Sequence, residues 1–187
     1  MKNHTLRLLA VMIAFPIVGS AEIVIDDFEA NAGNWTVKGQ GLQLQLTDSP
    51  AEVKEGKSAG KLIADYDKPY SSSAKFDLAD TSGISPETGS LKFWLFGDGS
   101  GAKLQISFIA QDGGVFSIEK AIGWSGWEDV EVPLKKFTFN KFAGPAEGPS
   151  QNLDPAQIKT LMIGVYGGLK AGDAKHEFFI DSIRLLP

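Results

Sequence analysis

Apolar and polar residues alternate along most of this chain with a period of two. Leu42-Gln43-Leu44-Gln45-Leu46-Thr47 is the cleanest stretch. Successive strand side chains point to opposite faces, so the pattern predicts a strand with one buried face. Lys61 to Tyr66, Lys75 to Leu78, Leu91 to Phe96, Val115 to Ile122, Trp127 to Leu134, Leu161 to Tyr166 and Glu177 to Leu186 read in the same way. Leu104, Ile106 and Phe108 form a core phase, with Gln105, Ser107 and Ile109 between them. Gly and Asp clusters punctuate these runs, and Gln111-Asp112-Gly113-Gly114 predicts a hairpin. One helical turn is predicted where Asp154 can cap Pro155. Short, evenly spaced strands predict an all-β chain, an antiparallel β-sandwich of the jelly-roll kind.

Two places break the rhythm. In the last strand Phe178 and Ile180 share one phase, and Ile183 and Leu185 share the other. Either a bulge lies near Asp181-Ser182 or both faces of the strand are covered. The segment from Phe139 to Asn152 is a long Gly/Pro-rich connection, either functional or a plain crossover.

Composition narrows the picture. Lys2 and Arg7 flank an apolar run that ends in Gly19-Ser20-Ala21. This order reads as a secretory signal over residues 1–21, leaving one domain over residues 22–187, secreted or periplasmic. The 187-residue chain carries a net charge of −5. Without residues 1–21 it has 16 Lys and Arg against 23 Asp and Glu, a net −7. That balance argues against nucleic acid and anionic membrane as partners. With no Arg cluster, it also argues against an anionic substrate. No cysteine exists, and His176 is the one histidine after the signal, so thiolate sites and multi-histidine zinc sites are excluded. A Ser-His-Asp triad on His176 lacks the Gly-x-Ser-x-Gly turn that would support it.

The chain ends carry matching chemistry. Ile25-Asp26-Asp27-Phe28-Glu29 and Phe178-Phe179-Ile180-Asp181-Ser182-Ile183 each set carboxylates inside an apolar run. Buried carboxylates need partners. If the two runs meet in one sheet, a hard cation such as calcium is a natural one.

Taken in order, several pieces resemble carbohydrate-binding modules of the galactose-binding-like jelly-roll type, nearest to family eleven. They are the Asp26-Asp27-Phe28-Glu29 run with Trp35, Glu55-Gly56-Lys57-Ser58-Ala59-Gly60, Leu91-Lys92-Phe93-Trp94-Leu95, Trp127-Glu128-Asp129-Val130, and Ile180-Asp181-Ser182-Ile183. The resemblance implies a structural calcium ion with Asp27 or Glu29, a carbonyl near Lys57, and Asp181 as ligands. It also implies a sugar groove on the outer face of one sheet, where rings stack on aromatic side chains. Tyr70, Trp94, Gln105, Ser107 and Tyr166 are the candidates for that face, with Phe139, Lys141 and Phe142 on a loop that closes over the ligand. Trp94 is placed there because Phe93 and Leu95 take the core phase. Trp35 and Trp127 are assigned to structure, and Trp124 is left undecided.

The resulting expectation is a secreted, non-catalytic module that binds a polysaccharide or oligosaccharide, beside a separate glycan-active enzyme. Two other readings stay open. One is an envelope structural or assembly protein, since proteins similar to a mitochondrial complex I assembly factor share the pattern. The other is a small polysaccharide lyase using Tyr166 with Lys141 or Lys170, joined by His176.

Overall fold

A computed structural model describes residues 22–30, 34–65, 73–145, 147–166 and 175–187. Twelve strands follow in order. They are β1 (Ile23–Asp26), β2 (Trp35–Lys38), β3 (Leu42–Thr47), β4 (Ala59–Asp65), β5 (Ser73–Asp77), β6 (Ser90–Asp98), β7 (Lys103–Ala110), β8 (Val115–Ala121), β9 (Ser125–Pro133), β10 (Thr138–Phe139), β11 (Ile158–Tyr166) and β12 (Lys175–Leu186). They form two antiparallel six-stranded sheets. Sheet A runs β3-β4-β12-β6-β9, with β1 also on β12; sheet B runs β10-β8-β7-β11-β5-β2. The chain is therefore the expected all-β sandwich. Helix among the described residues is confined to short 3-10 turns, including Leu134–Lys136 and Pro155–Gln157. Asp154 caps the second by accepting the Ala156 amide.

The period of two decides which side chains fill the space between the sheets. In β6, Leu91, Phe93 and Leu95 are buried while Lys92 and Trp94 turn outward. In β7, Leu104, Ile106 and Phe108 are buried on the inner side. They pack with Phe116, Leu161, Ile163 and Phe178 in one continuous core.

The first and last described strands meet in sheet A, as their matching runs suggested. β1 lies antiparallel to the C-terminal half of β12, Ile23 opposite Leu185. The irregularity in β12 is a bulge: register with β6 shifts between Asp181 and Arg184, and Ser182 sits at φ 50°. The extra residue switches phase, so Phe178, Ile180, Ile183 and Leu185 all reach the core.

Just after β1, Phe28 also takes a left-handed backbone, φ 59°, yet is fully buried. Such strain costs about 1–3 kcal/mol. Burying a phenylalanine returns about 1.5–3 kcal/mol, and Asp26 Oδ1 accepts the Phe28 amide at 2.8 Å. Gly60 makes room, because a Cβ there would stand 2.7 Å from the Phe28 ring. Trp35 stacks on the same ring at 6.1 Å and donates its indole N–H to Asp26 Oδ2 at 2.6 Å. Trp35 is thus the structural residue expected. Trp127 differs: it faces out of sheet A, half-buried, with its ring edge-on to Phe96.

Candidate functional site

The outer face of sheet B carries the side chains that alternate with the core. One cross-strand row runs Thr36, Lys75, Met162, Ser107, Ser117 and Thr138. In the next row Gly164 of β11 faces Gln105 of β7, and Gln105 faces Glu119 of β8. Gly164 has no side chain, so it leaves the middle of this face low. A groove of about 690 Å³ opens here, between Gln105, Ser117 and Glu119 on the strands and Asn140, Lys141 and Phe142 on the loop after β10.

The loop wall is fixed by short-range chemistry. Asp112, in the β7–β8 turn, accepts the amides of Ser150 and Gly114, both at 2.9 Å. Those two N–H groups hold its carboxyl below the usual aspartate range. Pro145 and Pro149 lie against Gly113 and Gly114 of the same turn. Asn140 donates its amide N–H to the Val115 carbonyl and accepts the Phe142 amide on Oδ1. Its Nδ2 also reaches Ser117 Oγ at 3.4 Å. The loop is therefore pinned to the sheet at both ends. Phe142 projects from it 89% exposed, with the Lys141 ammonium 5.1 Å from the ring centre. Glu119, the carboxylate of the groove wall, is held by Lys103 at 3.2 Å.

The structure brings only part of the expected sugar face together. Gln105 and Lys141 line one groove. Ser107 lies on the same face but is fully buried, its hydroxyl 2.8 Å from that of Ser117. Its hydroxyl is turned to Ser117 beneath the groove. Trp94 lies on sheet A, on the opposite side of the sandwich. Its outward phase was read correctly, but phase does not say which sheet a strand joins. Its indole N–H goes to Glu55 Oε1 at 2.7 Å, and Lys54 lies 4.5 Å over its ring. Tyr70 lies outside the described residues. Tyr166 is described by its backbone, which pairs with Lys103 at the end of β11 in sheet B. Ser117, Glu119 and Asn140 were missed; the outward phase of β8 signalled the first two.

Around the bulge the carboxylates divide. Glu29 Oε1 accepts the Lys57 and Ser58 amides at 2.7 and 3.0 Å, which lowers its pKa. Gly56, at φ 67°, lets that carboxylate in: a Cβ would fall 2.2 Å from Oε1. Lys57 thus turns an N–H, not a carbonyl, towards Glu29. Asp27 accepts the Glu29 amide at 3.1 Å. Glu55 collects Trp94, Ser182 and Arg184, and the Ser182 hydroxyl leads in holding its carboxyl low.

Asp181 is fully buried. Its Oδ2 accepts the Lys54 and Glu55 amides at 3.0 and 2.9 Å, while no protein donor reaches Oδ1. Burial outweighs those amides and pushes its carboxyl above the usual range. Among the described residues no three carboxylate or imidazole groups converge on one point. The expected set, Asp27 or Glu29 with a carbonyl near Lys57 and Asp181, needs two carboxylates rather than three, and Asp181 Oδ1 has the chemistry of an open cation ligand.

His176 lies on β12, in sheet A, with its ring against Phe178 and Nδ1 bound to Asp98. Lys141 lies at the groove of sheet B, while Lys170 and the side chain of Tyr166, the other groups of the lyase reading, lie outside the described residues.

No protein-family model and no curated protein matches this sequence. Solved structures do match the fold. A family 11 carbohydrate-binding module from Clostridium thermocellum, in complex with a β-1,3-1,4-mixed-linked tetrasaccharide, superposes with TM-score 0.64 at 18% identity, over 88% of this chain and 95% of that one. The CBM22-1 xylan-binding domain from Paenibacillus barcinonensis superposes with TM-score 0.52 at 12% identity, over 90% and 93%. An exo-β-agarase matches with TM-score 0.61 at 16% identity, over 88% of this chain but 25% of its own. The chain has the antiparallel β-sandwich fold of these carbohydrate-binding modules, and its fold is similar to that of the family 11 module.

Proposed function

We propose that this chain is a secreted, non-catalytic module that binds a polysaccharide or oligosaccharide in the groove of sheet B. One observation carries the reading: a pinned loop presents the open ring of Phe142 beside Gln105, Asn140 and Lys141 at a groove of about 690 Å³. An exposed ring offers a stacking platform, and the amides and ammonium suit sugar hydroxyls. Tyr70 and Tyr166 belong to the same proposal as further stacking residues. The fold and its neighbours' ligands support binding; fold alone does not fix the glycan.

Calcium remains part of the proposal in a narrower form. Asp181 Oδ1 is the side-chain ligand, and the other oxygens come from main-chain carbonyls or water. Such an ion brackets the bulge and acts on stability, remote from the groove.

The test is Phe142→Ala. Removing a stacking platform costs about 1–3 kcal/mol of binding, between five- and a hundredfold in affinity. A glycan panel followed by titration calorimetry should show that loss with an unchanged melting temperature, since an exposed ring holds nothing together. Full affinity in the variant, or no glycan bound by the native protein, defeats the reading.

A further inference from the structure

The net charge of the molecule does not describe its groove. On the outer face of sheet A each basic group of the strands is matched: Lys61 with Glu177, Lys92 with Asp129, and Arg184 with Glu22 and Glu55. Beside sheet A the loop lysines Lys54 and Lys57 form no ion pair with another described residue, and the outer face of sheet B carries such lysines on its strands as well as its loops. Lys38 and Lys75 share the register row of Thr36 or follow it in phase, and Lys136 and Lys141 line the groove. None of these four makes an ion pair with another described residue. Of the carboxylates on the same face, Glu119 is paired with Lys103, while Asp77 accepts the Thr160 hydroxyl at 2.6 Å and keeps its charge.

Unpaired cations on an acidic protein mark a place where a negative ligand gains and a neutral one does not. Two unit charges about 4 Å apart at a protein surface attract by up to a few kcal/mol before screening. A local excess of lysine on a chain of net negative charge also steers a polyanion towards this face.

We propose that the groove of sheet B takes an acidic glycan, one carrying carboxylate or sulfate groups, with Lys136 and Lys141 as the anion-binding side chains and Phe142 as the ring platform between them and the sugar. This rests on the glycan-binding reading above and names its substrate class. It also reverses the expectation drawn from net charge, because a bound chain senses the local field within about a Debye length.

The experiment compares three glycans with the protein: polygalacturonate for carboxylate, a sulfated galactan for sulfate, and mixed-linkage β-glucan as the neutral arm. Affinity electrophoresis and calorimetry are run in about 0.1 M and about 1 M salt, where the Debye length falls from about 10 to about 3 Å. The expected result is binding to one acidic glycan that weakens in high salt. The double variant Lys136→Gln/Lys141→Gln should lose about tenfold in affinity, two exposed charge contacts' worth. Lys92→Gln, on sheet A, should bind as the native protein does. The carboxylate and sulfate arms identify the group recognised. Binding to the neutral glucan alone, or an undiminished double variant, overturns the charge inference and leaves the glycan-binding reading standing. An equal loss in Lys92→Gln shows unspecific attraction and also overturns it. No binding in any arm removes both.

Discussion

Asp181 shows how one residue can answer to two environments. Its buried carboxylate has one oxygen fed by two amides and one oxygen with no protein donor. Without a cation, its raised folded pKa means that the native state holds the proton more tightly than the unfolded chain. Stability from this group is then present below the unfolded value and lost as pH rises through the folded one. A bound cation reverses the sign, because the ionised form gains the ligand. Asp181→Asn separates the cases. In chelator, the variant should gain on the native protein as pH rises from about 4 to about 7, spanning the carboxylate range. In calcium, the native protein should gain instead, and its melting temperature should exceed that in chelator. Thermal unfolding across pH with and without calcium reads both, and identical native curves in the two media would dispose of the ion.

At the scale of elements, β1, the Phe28 turn, β4 and β12 depend on one another. Phe28 strains its backbone to reach the core, and Gly60 of β4 provides the space against Ile180 of β12. A methyl group at Gly60 has nowhere to go, since ring atoms lie 2.7 and 2.8 Å from the Cβ position and are themselves buried. Overpacking of this kind costs about 1–3 kcal/mol. Gly60→Ala should lower stability by that amount in urea unfolding. Phe28→Leu, destabilising alone, should absorb most of the added cost in the double variant, because the crowded ring atoms are gone. Strictly additive losses would mean that the contact is not the source of the strain.

For the whole molecule, the two sheets divide the work. Sheet A holds the joined chain ends, the bulge and the paired charges. Sheet B carries the groove and its loop. Ligand binding on one face and stability on the other should respond separately to substitution. The expectation of export is tested at this scale as well. If residues 1–21 are a signal, the protein recovered outside the cytoplasm should have an intact mass beginning at Glu22. A mass that retains the basic start would reject the cleavage.

Much of this was legible in the residues themselves. The two-residue period determined which side chains of β3, β6 and β7 turn inward, because strand geometry leaves only two directions. The phase change between Ile180 and Ile183 required either a bulge or a second covered face, and the structure has the bulge. The polar turn at Asp112-Gly113 set the β7–β8 hairpin. Tertiary structure alone decided the rest. Phase gives a side chain's face but not its sheet, so Trp94 could be read as outward and still be grouped with Gln105, which lies on the other sheet. Burial of the hydroxyl of Ser107 depends on Ser117, ten residues away on the next strand. Which amides Glu29 and Asp181 accept from, those of Lys57 and Ser58 or of Lys54 and Glu55, depends on how the β3–β4 loop meets β1 and β12. The net charge is fixed by composition, but the excess of lysine on one face arises only when the strands are ordered into sheets. That order is set by long-range packing of the core, which no local pattern encodes.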